Sequence, residues 1–179
     1  MDFLVMLTFI IAVNWFCPTL VWLISLKIKD VGIVDIYWGI GFVIMAWACF
    51  LLNLQSNPTV ISQSQWLINI MVTIWGLRLT FHLAARNLGK EEDYRYAAMR
   101  KKSAGDFRIQ SYFRVFMLQG FLQIVIILPV LAIHLYPSAF GLSLFHYLGI
   151  TLWAIGFVYE TAADIQLVKF RSDSTNHNK

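Results

Sequence analysis

Five apolar runs dominate this sequence, and each is long enough to cross a bilayer: about Phe3 to Leu26, Ile33 to Leu54, Trp66 to Leu83, Arg114 to Tyr136 and Phe140 to Tyr159. An α-helix rising 1.5 Å per residue needs roughly 20 residues to cross a hydrocarbon core of about 30 Å. Within lipid the backbone must satisfy its own hydrogen bonds, so helices are expected. The expected fold is an all-α integral membrane bundle of about five transmembrane helices. Composition agrees: 59% of the 179 residues are hydrophobic and only 13% are charged, against about a quarter charged in soluble domains.

The charges set an orientation. Net charge is +4, with 14 Lys and Arg, which by itself admits nucleic acid or anionic lipid as a partner. All 14 fall in or near three places: the turn after the first run, the segment between the third and fourth runs, and the C-terminal end. With five spans these lie on one side, and the positive-inside rule makes that side cytoplasmic. The N-terminus is then outside and the C-terminus inside. Membrane topology accounts for the charge, and no nucleic-acid partner is expected. The organisation expected is one transmembrane domain over 1–171, followed by a polar cytoplasmic tail over 172–179.

Local signals refine the outline. Met1-Asp2 provides no basic leader region and no small-residue cleavage site follows, so the first run is expected to be a retained helix. Pro18 removes a helical hydrogen bond within that run and is expected to kink it. Asn57-Pro58 and Pro137-Ser138 mark turns. Cys17 and Cys49 both fall in apolar runs and are expected to be inert buried thiols, with no zinc spacing or disulfide framework. Gln119 and Gln123 share a helix face and suit hydrogen bonds between helices. His134 and His146 are expected at the outer membrane interface.

Four constellations can carry chemistry, each with a plain structural alternative. Asp35, in Val34-Asp35-Ile36-Tyr37-Trp38-Gly39, is an ionisable group at the edge of a span, which is often functional; it also suits a helix N-terminus, with Tyr37 and Trp38 as interfacial aromatics. Arg78, His82 and Arg86 recur at i, i+4 and i+8, a cationic stripe suited to phosphate or to snorkelling toward headgroups. Arg86-Asn87 through Tyr94-Arg95-Tyr96 reads as a loop of mixed charge, able to close over an anion or simply solvated. Glu160, Asp164 and Arg171 lie close to one helix face, where carboxylates can accept from ribose hydroxyls or an amide and Arg171 can hold a phosphate. The alternative is an amphipathic helix end leaving the membrane. No nucleophile elbow, P-loop, dinucleotide fingerprint or metal motif is present.

These pieces, in this order, resemble the bacterial steroid 5-alpha-reductase-like membrane proteins, within a wider superfamily that includes sterol reductases and isoprenylcysteine carboxyl methyltransferases. The matching residues are Val34 to Gly39, Trp75-Gly76-Leu77-Arg78-Leu79, Arg86-Asn87, Gly89 to Tyr96, Phe116, Gln119-Gly120, Gly156-Phe157, Tyr159-Glu160, Ala163-Asp164, Gln166-Leu167 and Phe170. The resemblance covers nearly the whole chain. It implies a bundle of about seven helices around a buried cavity, where NADPH delivers hydride to a carbon–carbon double bond conjugated to a carbonyl in a lipophilic substrate. Asp35 and Tyr37 would stand at the substrate end as catalytic candidates. Arg78, Arg86, Asn87, Tyr94, Glu160, Asp164 and Arg171 would contact the cofactor.

The family also carries, beyond this point, a tryptophan-arginine pair, an arginine-histidine-proline-asparagine-tyrosine-phenylalanine motif and two further spans. This sequence stops at Thr175-Asn176-His177-Asn178-Lys179. The expectation is the N-terminal two-thirds of a family member, with a separate chain as one source of the missing helices. Three readings follow: a multi-pass reductase of the bacterial inner membrane, NADP-linked and bathed in membrane lipid; a non-catalytic fragment or half of a split enzyme; and an S-adenosylmethionine-dependent methyltransferase of the wider superfamily. A small transporter has no inverted repeat to support it.

Overall fold

The computed structural model describes residues 2–56, 61–136 and 141–173. The turn signals Asn57-Pro58 and Pro137-Ser138, and the tail beyond Asp173, lie outside them. The regular elements among the described residues are all helical. They are α1 (Phe3–Ile28), α2 (Ile33–Ser56), α3 (Gln63–Asn87), the short α4 (Tyr94–Lys102) and α5 (Phe107–Ser111), a π-helical stretch (Tyr112–Met117), α6 (Leu118–Leu135) and α7 (Leu144–Ser172). Five segments are long and apolar enough to cross a membrane: α1, α2, α3, the continuous run Phe107–Leu135, and α7. The protein is thus helical, multi-pass and membrane-like.

The helix ends explain themselves locally. Asp2 caps α1 by accepting from the Leu4 N–H at 3.4 Å. Lys29 closes the helix in the left-handed region, φ 59°, its N–H returning to the Ser25 carbonyl. Ser62 and Gln65 form a reciprocal capping box on α3, which satisfies two otherwise orphaned donors. Asp93 caps α4 at 2.9 Å from the Arg95 N–H.

Three boundaries differ from the sequence reading. Helix α3 starts at Gln63 and runs past Leu83 to Asn87, so Arg86 and Asn87 sit on a last helical turn rather than in a loop. A cation there complements the helix dipole. The span expected from Arg114 begins at Phe107, because α5 passes through the π-helix into α6 without a break. The last span continues beyond Tyr159 to Ser172, so Glu160, Asp164 and Arg171 are all helical.

The chain divides into two units, residues 1–139 and 140–179. In the first, α2 packs against α1, α3 and α6. Met6 and Ile10 of α1, Phe42, Met45, Ala46 and Cys49 of α2, and Ile127, Val130 and Leu131 of α6 form the larger buried cluster. Val31, Val34, Tyr96, Val115 and Phe116 form a second one toward the basic end.

Helix association in lipid gains little from hydrophobicity and relies on close packing and hydrogen bonds. Both are visible here. Gly39 and Gly76 face each other where α2 crosses α3. A Cβ on Gly76 would stand 2.6 Å from the Gly39 carbonyl oxygen, and one on Gly39 would collide with the Gly76 carbonyl. Gln123 donates to the Trp38 carbonyl at 3.0 Å, Trp47 Nε1 to Thr73 Oγ1 at 2.9 Å, and Gln65 to the His134 carbonyl at 3.1 Å. The interhelical role expected for Gln123 is therefore present. His134 lies in the last turn of α6, where the sequence puts it at the end of a span, but it is fully buried, its ring edge-on to Phe50 at 6.1 Å. Cys49 is buried and Cys17 half-buried, and both are free thiols.

The second unit is α7. Ser143 and His146 cap its start reciprocally, and Trp153 stacks on Phe157 at 5.1 Å.

Candidate functional site

Asp35 enters the structure through its helix. It lies in the first turn of α2, where the dipole favours an anion, and its side chain is only 16% exposed. Two residues reach it from the start of α4. The Tyr96 hydroxyl donates to Asp35 Oδ1 at 2.7 Å, and Arg95 Nη2 donates to Oδ2 at 2.9 Å. Gln119 of α6 donates in turn to the Tyr96 oxygen at 3.3 Å. Three helices thus converge on one carboxylate.

The turn before α4 is what brings Tyr96 and Arg95 there. Asp93 caps α4 and also receives Arg95, Nε to Oδ1 at 2.9 Å and Nη2 to Oδ2 at 3.1 Å. The guanidinium therefore bridges Asp93 and Asp35. Glu92 anchors the same turn to the α1–α2 connection: it accepts the Val31 N–H at 3.0 Å and a two-pronged bond from Arg100 at 2.7 and 3.1 Å. Burial pushes the Glu92 carboxyl up, but Arg100 and the Val31 N–H outweigh it, and the group ends below the usual range. Asp93 is likewise lowered, by its bond from Arg95 first and with help from the Arg86 charge.

Tyr96 is 6% exposed. Burial, and then its bond to Asp35, push the phenol well above its ordinary range. It stays neutral, with its proton directed at the carboxylate. Asp35 and Gln119 line a cavity of about 340 Å³, completed by Trp38, Leu79, Leu83 and Leu122. One wall is polar and the rest apolar. Such a space suits a lipophilic molecule carrying a single polar group.

The other residues singled out from the sequence fall as follows. Tyr37 is two residues from Asp35 and turns elsewhere: it is buried, with its ring beside Gly41 of α2. The structure does not join the two catalytic candidates. Arg78 and Arg86 are half-buried along α3, and Arg86 Nε donates to Asn87 Oδ1 at 3.0 Å. Tyr94 is 80% exposed at the head of α4. Glu160, Asp164 and Arg171 lie along α7 in the second unit. Among the described residues no group of three or more His, Cys, Asp and Glu could hold a metal.

Sequence reasoning took Arg95 and Tyr96 as part of a mixed-charge loop and did not pair them with Asp35. The available signal was the cap: Asp93 before an apolar-spaced Tyr96 and Met99 marks a helix start. That helix turns Tyr96 inward.

Neither a curated protein nor a solved structure matches the chain. A family described as a protein of unknown function, DUF1295, matches residues 21–179, which takes in α2 with Asp35, α4 with Tyr96, and α7. The chain belongs to that family, the steroid 5-alpha-reductase-like family whose motifs its sequence carries.

Proposed function

We propose that this protein is a membrane-embedded, NADPH-dependent reductase acting on a carbon–carbon double bond conjugated to a carbonyl in a lipophilic substrate. The observation that carries the reading is the Asp35–Tyr96–Gln119 cluster on the wall of an otherwise apolar cavity. The apolar walls suit the body of such a substrate. The second Gln119 N–H can polarise its carbonyl oxygen. Asp35, which lines the cavity, relays a solvent proton to the oxygen on which charge develops, and Tyr96, with its one proton directed at Asp35 Oδ1, keeps that carboxylate oriented. Arg95 and Asp93 hold the carboxylate in place and so act as positioning residues. Tyr37 has no part in this cluster.

The residues present fit an anionic dinucleotide. Arg78, His82 and Arg86 repeat along α3, the helix whose Leu79 and Leu83 line the cavity, and this cationic donor set matches phosphates. Asn87 follows on the same turn. In the second unit, the family resemblance makes Glu160, Asp164 and Arg171, which share a face of α7, candidates for cofactor contact in their own right. When bound, the nicotinamide supplies the hydride. With the basic segments in the cytoplasm, the cofactor arrives from that side. The bacterial inner membrane would be its location.

The test is a titration of the purified protein with NADPH, following its tryptophan fluorescence. Asp164→Ala and Arg171→Ala are compared with the parent, and S-adenosylmethionine is titrated in parallel. Saturable NADPH binding weakened by both substitutions supports the reading. Binding of S-adenosylmethionine alone moves the protein to methyl transfer, and binding of neither by folded protein sinks the proposal.

A further inference from the structure

A second cavity, of about 390 Å³, lies at the basic end of the first unit, where α1 ends and the span Phe107–Leu135 begins. Ser25 and Lys29, Arg100, and Asp106, Arg108 and Ser111 carry its polar lining. Three cations there stand against one carboxylate. Glu92 pairs with Arg100 from behind and lessens the positive excess without cancelling it. Asp30, next to Lys29, turns instead to the Gly32 N–H at 2.7 Å.

The cations keep donors to spare. Lys29 is exposed and makes no ion pair among the described residues. Arg108 gives Nε to Asp106 at 3.1 Å and keeps both terminal nitrogens. That pair is exposed, 71% and 44%, so solvent screens it and little confines the guanidinium. Arg100 gives Nε and Nη2 to Glu92 and keeps Nη1. The two serine hydroxyls already donate to backbone carbonyls, Ser25 to Trp22 and Ser111 to Arg108. What the cavity offers is therefore cationic N–H, the donor set for a phosphate. Lys29 also sits at φ 59°, a helix-end conformation that favours glycine. The chain accepts that backbone cost and places a cation in the lining.

The depth is marked independently. Trp22 donates to the Arg108 carbonyl at 3.1 Å, and its ring lies 4.8 Å from that of Tyr112. Tryptophan and tyrosine gather at the headgroup level of membranes. Exposed apolar residues, Leu23 and Phe113 among them, follow on the same two segments. We propose that this cavity holds the phosphate of an anionic phospholipid, whose acyl chains pass down beside α1 and the Phe107–Leu135 span. A zwitterionic lipid brings its own cation, which the excess positive charge disfavours. A soluble phosphate leaves the apolar surface below unused. Anionic lipids enrich the cytoplasmic leaflet, the side to which the basic segments belong. The site is separate from the Asp35 cavity and does not rest on the reductase reading.

The test is native mass spectrometry of the whole chain, released from detergent micelles containing phosphatidylglycerol or phosphatidylcholine. Saturable retention of phosphatidylglycerol, roughly tenfold above phosphatidylcholine, is the expected result. Lys29→Gly and Arg108→Gln should each reduce that retention about tenfold. Lys101→Gln removes equal charge outside the lining and should change it by less than about twofold, because distant exposed charges are screened. Glycine suits the backbone at position 29, so lipid loss with an unchanged or raised thermal midpoint separates binding from folding. If either variant fails to fold, the other decides. No preference for phosphatidylglycerol, or an equal loss with Lys101→Gln, would show diffuse attraction to a basic surface and overturn the site. Inorganic phosphate distinguishes the sources: competition as effective as that of phosphatidylglycerol itself would make the ligand a soluble phosphate and refute the lipid, and weaker competition supports it.

Discussion

The Tyr96 hydroxyl donates to Asp35 Oδ1 at 2.7 Å across 61 residues of sequence. It ties the first turn of a membrane span to a short helix in the basic segment. Tyr96→Phe deletes the hydrogen bond to a mostly buried carboxylate and the longer one that Tyr96 accepts from Gln119 at 3.3 Å. Bonds to charged groups are worth about 1.5–3 kcal/mol, so thermal unfolding in detergent should show a loss of that order. Asp35→Asn should lower catalysis of enone reduction by about 10²-fold or more, in the range for lost acid–base assistance. Wild-type turnover by Asp35→Asn would remove the cluster from the mechanism.

The bond at Arg95 is worth less. Its side chain is 52% exposed, so solvent screens its pair with Asp35. Arg95→Gln should destabilise the protein by no more than about 1 kcal/mol. It should still displace Asp35, and the expected signature is a lower kcat with KM nearly unchanged. A raised KM alone would place Arg95 against the substrate instead.

Acid should loosen the basic segment first. Glu92 and Asp93 both titrate below the usual carboxylate range in the folded protein. The stability they contribute is fully present above about pH 4.5, the ordinary carboxylate region. It is lost as pH falls through their lowered values, because the unfolded chain takes up the protons first. The thermal midpoint should therefore decline below about pH 4.5, and Glu92→Gln should flatten that decline. A midpoint that instead rises with acid would contradict the assigned pairs.

The crossing of α2 and α3 should tolerate nothing larger than glycine. Gly76→Ala places a methyl against the backbone of α2, and overpacking of this kind costs about 1–3 kcal/mol. Gly149→Ala in α7 meets nothing within 4 Å and serves as the comparison. If both substitutions leave the unfolding temperature unchanged, the close approach is not a feature of the folded protein.

Orientation is open to direct measurement. A reporter active only outside the cytoplasm should be active when fused after Leu54 and silent when fused after Lys102, following the charge asymmetry. The reverse pattern would invert the protein and with it the side from which a cofactor arrives.

Much of the fold was legible because membrane helices advertise themselves by length. The five spans, the placement of Asp35 in a first turn and the interhelical bonding of Gln123 all follow from local pattern. Boundaries were harder where charge entered a helix. Arg86 was legible both as the end of a helical stripe with Arg78 and His82 and as the start of a loop; a cation suits a helix C-terminus, and α3 continues through it. The partner of Asp35 was hidden for a different reason. Tyr37 is near it in sequence, but two residues along a helix turn a side chain to another face. Tyr96 is distant in sequence and is brought close by the capped start of α4. The burial of His134 was not legible because a histidine near the end of a span reads as exposed, whereas packing against Phe50 and α3 covers it.

The contact between Gly39 and Gly76 bears on motion as well as packing. With backbone seated on backbone, α2 and α3 cannot slide or roll without driving a carbonyl into the neighbouring chain. They form a stator: one stiff plate carrying Asp35 and Trp38 on one side of the crossing and Leu79 and Leu83 on the other. The cavity they frame opens outward, so a molecule enters it without moving the plate, which keeps the geometry of the carboxylate constant while its surroundings breathe.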